Sequence, residues 1–146
     1  MKKKNFFVKI FIIFLFYQEF SLLKSVENKI VANVGDQIIS SYELKNKIKT
    51  ILFLSQQKLN QENINITKVN AMRSLIDSKI KKQELSKYKI EIDHESNSNP
   101  FLKNISSQYG TNIIGLKKIF LDNSLDFEVY SNELKIEFSW QKLIFS

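Results

Sequence analysis

The sequence predicts a mainly α-helical domain, small and built of about five helices, entered through an N-terminal β-hairpin. Three observations carry that expectation. Residues 29–39 alternate apolar and polar side chains around a Gly-Asp pair, apolar residues then recur at helical intervals, and cap-forming side chains stand ahead of the helical runs. With 146 residues there is room for one domain and a modest core.

In "KIVANVGDQIISSYELKNKI" (29–48), Ile30, Ala32 and Val34 fall on one face, Gly35-Asp36 makes a two-residue turn, and Ile39 returns to the same face opposite Ala32. A lone hairpin is marginal in water, so its apolar side must lie on helices. Ser40 precedes Glu43 by the spacing of a capping box, and Leu44, Ile48, Ile51 and Leu52 follow, which places the first helix over about Ser41 to Gln57. "KLNQENINI" reads as a loop. Thr67 then caps a second helix with Val69, Met72, Ile76 and Ile80 on its inward stripe and Leu75 beside it, fading near Tyr88. "IEIDHESNSNP" is a loop, after which Asn99 and Pro100 open a short helix through Phe101, Leu102 and Ile105, ended by Gly110. Another short helix covers about Asn112 to Leu121. Asp126 caps a final helix with Tyr130, Leu134, Phe138, Trp140, Leu143 and Ile144, and its aromatic residues, set at packing intervals, belong to the core.

The first 25 residues differ from the rest. Lys2, Lys3, Lys4 and Lys9 lead into an apolar run from Ile10 to Phe16, closed by Tyr17, Gln18 and Glu19, the layout of a secretory signal and too short to span a bilayer comfortably. Residues 1–25 are therefore expected to be a signal peptide cut after Ser25, and residues 26–146 the domain; left uncut, the segment would tether the domain to a membrane. It holds five of the 22 basic residues and one of the 15 acidic ones, so 17 against 14 remain and the net charge falls from +7 to +3. Without a basic stripe interleaved with aromatics, nucleic acid is not an expected partner.

Chemistry is sparse. Lack of cysteine excludes disulfides, thiolate catalysis and cysteine-based zinc sites. His94, the one histidine, lies in a polar loop and reads as a surface residue. Ser40 and Ser41 have no nearby base, and Gly35, Gly110 and Gly115 stand too far apart for a phosphate loop. No catalytic residue, cofactor or metal ligand is assigned.

The order of signal, hairpin and capped helix resembles the N-terminal domain of the SurA family of periplasmic chaperones. "IVANVGDQIISSYELKNKI" (30–48) is similar to that family's opening signature, "LIDSKIKKQELSKYKI" (75–90) to its second-helix segment, and "SLDFEVYSNELKIEFSWQKLI" (124–144) to its last stretch, with Tyr130 and Trp140 in place. The resemblance implies a SurA N-terminal-domain-like fold and a periplasmic, ATP-independent holdase that binds unfolded outer-membrane polypeptides and assists their folding. A client-holding surface is nominated at Leu52, Phe53, Phe101, Phe120, Phe127 and Phe138. Family members continue into parvulin-type peptidyl-prolyl isomerase domains, which this sequence does not carry, so the expectation leans away from an enzyme. A fragment of a SurA-type isomerase and a membrane-tethered interaction subunit are the alternatives, and a homodimer that covers an unfinished core stays open. Pro100 and the "SNSN" run fall where the family has a continuous helix, which implies a shortened third helix.

Overall fold

In the computed structural model the described residues are 28–92 and 99–145. The expected signal segment and His94 lie outside them. Two strands, β1 (Ile30–Val34) and β2 (Gln37–Ser40), form an antiparallel hairpin, followed by helices α1 (Ser41–Leu54), α2 (Gln61–Lys87), α3 (Pro100–Gln108), α4 (Ile113–Asp122) and α5 (Phe127–Ile144). The mainly helical fold with its leading hairpin is as the sequence predicts.

The hairpin pairs Ala32 with Ile39, Asn33 with Ile38 and Val34 with Gln37, with an irregularity between Ile30 and Ala32. Gly35 takes φ +59° at the first turn position, where a residue with a Cβ would be strained and would also run into the Gln83 amide. That amide donates to the Val34 carbonyl (2.8 Å) and to the Asp36 carboxylate, so α2 holds the turn from below. Ser40 begins α1 through a complete capping box: the Glu43 N–H donates to its hydroxyl (3.1 Å) and its own N–H donates to the Glu43 carboxylate (2.8 Å).

Two apolar clusters form. Ile39, Leu44, Ile48, Leu52, Ala71 and Leu75 join the hairpin to α1 and α2. Leu102, Leu116, Phe120, Leu125, Phe127 and Tyr130 join α3, α4 and α5. Helix α1 serves both, because Leu52 is buried in the first while Phe53, one residue on, packs against the second. Ion pairs reinforce the joints: Lys79 with Glu43 (2.6 Å) between α2 and α1, Lys47 with Glu133 between α1 and α5, and Lys81 with Glu137 (2.6 Å) between α2 and α5.

Three expectations are corrected. Helix α1 ends at Leu54 rather than Gln57, because the Ser55 hydroxyl turns back to the Ile51 carbonyl (2.7 Å) and Gln56 takes φ 56°. Helix α2 starts at Gln61, capped by the Asn60 side chain (2.8 Å from the Asn63 N–H), so most of the supposed loop is its exposed first turns and Thr67 is buried within it. Its first turn sets only Ile64 against the first cluster, so no apolar period marked it in the sequence. The inward stripe of α2 is Thr67, Ala71, Leu75 and Leu85. The stripe chosen from the sequence is mostly the other side: Val69 and Ile80 are exposed, while Met72 and Ile76 pack at the edge of the first cluster. At about 100° per residue the two stripes are roughly opposite.

Side chains cap the remaining helices, α3 and α5 at the residues the sequence predicts. Asn99 accepts from the Phe101 and Leu102 N–H groups (3.0 and 3.2 Å) ahead of Pro100, and its own amide donates to the Leu134 carbonyl (3.2 Å), which ties the start of α3 to α5. Gly110, φ +63°, turns the chain toward α4, which Asn112 caps.

Candidate binding groove

Helix α1 carries two faces. Leu44, Ile48 and Leu52 look toward the hairpin and α2, whereas Tyr42, Asn46 and Phe53, roughly half a turn away, look toward α4 and α5. Between that second face and the α4–α5 connection lies an open groove of about 630 Å³. One wall is Tyr42, Lys45 and Lys49 of α1; the other is Lys117 and Leu121 of α4, and the floor is Leu125 and Phe127. Leu121 is 74% exposed, an unusual position for a leucine beside an apolar floor.

Asp126 fixes the geometry. Its side chain caps α5 by accepting from the Glu128 and Val129 N–H groups (3.0 and 3.1 Å) and accepts a 2.6 Å hydrogen bond from the Tyr42 hydroxyl. Its backbone is clasped by Asn46, which accepts from the Asp126 N–H (2.9 Å) and donates to the Asp126 carbonyl (3.3 Å). The α1 wall is therefore joined to the start of α5 by three hydrogen bonds across 80 residues of sequence or more.

Lysines surround the opening. Lys117 pairs with Glu128 (2.7 Å), but Lys45 and Lys49 have no ion-pair partner among the described residues. The arrangement can hold an apolar side chain on the floor and an anionic group against the α1 wall. Among the described residues there is no group of three or more His, Cys, Asp or Glu side chains able to hold a metal, and no helix long and apolar enough to cross a membrane.

Burial alone raises the Asp126 carboxyl, but the hydrogen bonds from Tyr42, Val129 and Glu128 outweigh it and hold its pKa below the ordinary carboxylate value. Glu43 behaves alike: burial raises it, and Lys79 and the Ser40 N–H lower it further. The Tyr42 hydroxyl is shifted up by its bond to Asp126. A depressed carboxylate contributes stability that is present above its unfolded pKa of about 4 and is lost as pH falls through the folded value. Tyr42→Phe is accordingly expected to cost about 1 kcal/mol at neutral pH. In urea titrations the difference from wild type should close once the pH lies below both values, and a difference independent of pH would show that Tyr42 acts only by packing.

Of the six nominated client-binding residues, Leu52, Phe120 and Phe127 are buried, while Phe53, Phe101 and Phe138 are half-buried. Leu52 and Phe120 are buried in the two clusters and cannot meet a bound chain without displacement. Phe127 is 7% exposed and reaches the groove only as floor. Phe53 stacks on Tyr109 with ring centroids 5.8 Å apart, and Phe101 meets Phe138 edge-on at 6.3 Å, with the Lys142 ammonium 4.2 Å above the Phe138 ring. The groove instead brings together Tyr42, Lys45, Lys49 and Leu121, none of which the sequence singled out. One signal was there: Tyr42, Asn46 and Phe53 recur at helical spacing on the side of α1 that its apolar stripe leaves free. Comparison with family models, with characterised proteins and with solved structures gives no match for this chain.

Proposed function

We propose that the protein is a periplasmic, ATP-independent holdase of the SurA N-terminal type, which binds unfolded outer-membrane polypeptides and keeps their strand edges from pairing. The observation that supports the reading is the open groove, whose apolar floor and unpaired lysines suit a side chain and a neighbouring anionic group of an extended client. A shallow site of this kind gives weak, sequence-tolerant contact with many segments, as a holdase requires. No isomerase activity is assigned to these residues.

Light scattering of a denatured outer-membrane protein diluted into buffer tests the proposal. The purified protein should suppress aggregation at near-equimolar amounts, and Leu121→Asp should lose most of that suppression while its helical circular dichroism is unchanged. If the folded wild-type protein leaves scattering unaltered, it is not a holdase. If Leu121→Asp suppresses as well as wild type, the groove is not the holding site.

A further inference from the structure

Helix α2 keeps a face that the fold leaves uncovered. Ile66, Val69, Arg73, Ile76 and Ile80 succeed one another at intervals of three and four residues, the a/d repeat of a two-helix seam. Ile66, Val69 and Ile80 are 66%, 55% and 46% exposed, and Ile76 is half-buried at the seam's edge. Arg73, the only arginine of the chain, stands exposed in the middle with no ion-pair partner among the described residues. One turn on is Asp77, 61% exposed and paired with Lys81 of its own helix at 2.7 Å.

We propose that this face pairs with the same face of a second copy, the two α2 helices running antiparallel about a two-fold axis that passes between Arg73 and Ile76. In that register Val69 of each copy opposes Ile80 of the other, and Arg73 lies along Ile76 of the other copy with its guanidinium at Asp77. Every contact then occurs twice, as a closed two-fold interface requires. The in-register parallel arrangement would set Arg73 against Arg73 and leave Asp77 unanswered, so charge selects the antiparallel one. The seam from Ile66 to Ile80 is about 20 Å long. A seam of five side chains per copy is small beside the ~20–30 residues a side of stable interfaces, so the pair is transient and trapping is the suitable readout. No residue lining the groove belongs to α2, so pairing leaves both grooves open and presents two sites to one client chain.

The absence of cysteine makes introduced thiols unambiguous reporters. Full-length Val69→Cys and Ile80→Cys proteins, mixed in mild detergent and oxidised with copper phenanthroline, should cross-link several-fold more than either alone, with Ile114→Cys on α4 at background. Arg73→Glu added to both should lower the yield several-fold, and adding Asp77→Arg as well should restore it. The substituted side chains are exposed, so circular dichroism should be unchanged in all forms. Cross-linking of Val69→Cys alone to the level of the mixture, a yield at Ile114→Cys equal to it, or indifference to the charge swap would overturn the proposal.

Discussion

Phe120→Ala is expected to lower folding stability by about 3–5 kcal/mol, the usual range for removing a ring from a fully packed site. Phe120 has no exposed surface and lies at the centre of the second cluster. Its ring meets Tyr130 face to face at 4.9 Å, Phe127 edge-on at 5.5 Å and Phe53 edge-on at 6.1 Å, so three helices lose contacts at once. None of these neighbours can slide in to fill the space, since each is held by its own helix. Urea denaturation followed by circular dichroism gives the number, and Phe145→Ala, at an 83% exposed position, serves as a near-neutral control. With total stability of such domains near 5–15 kcal/mol, the alanine variant should be close to unfolding at growth temperature. A loss under 1 kcal/mol would mean that the aromatic cluster is looser than its geometry.

Asn46→Ala comes next, at about 2 kcal/mol, because it removes the acceptor of the Asp126 N–H and one of the two donors to the Asp126 carbonyl in a partly buried joint. The cost comes mainly from leaving the Asp126 N–H unanswered, since the carbonyl keeps the Tyr130 N–H at 3.3 Å. Asn46→Asp separates the two contributions. At neutral pH its carboxylate can accept from the Asp126 N–H but cannot donate to the Asp126 carbonyl, and it adds a negative charge beside the Asp126 carboxylate. Protonation restores a donor and removes the charge, so the aspartate variant should approach wild type on acidification whereas the alanine variant should not. Parallel denaturation curves at neutral and acidic pH decide the matter, and equal behaviour of the two variants would show that the clasp is packing alone.

The legible parts of the fold were those set by neighbours in sequence. A turn at Gly35-Asp36 and cap residues at Ser40, Asn99 and Asp126 act over three or four residues, and all four were readable. Helix α2 shows what is not local. It carries two apolar stripes, and periodicity cannot say which faces inward; the choice falls to Gln83, Lys79 and Lys81, whose partners lie on the hairpin, α1 and α5. The groove was hidden for the same reason, since its walls come from residues 41–49 and 117–128 and meet only through folding. The aromatic residues nominated as a client surface were the natural choice from composition, yet large rings are also what fills a core, and burial went to Phe120 and Phe127.

The division of the interior into two clusters that share α1 sets how the molecule breathes. Amide protons of α1 become accessible to exchange with solvent only when both clusters give way, because Leu52 and Phe53 anchor the helix in each. Helices α3 and α4 answer to the second cluster alone, so their amides can exchange through a partial opening that leaves the hairpin, α1 and α2 closed. Leu121 sits on α4, so that partial opening widens the groove while the rest of the domain keeps its shape.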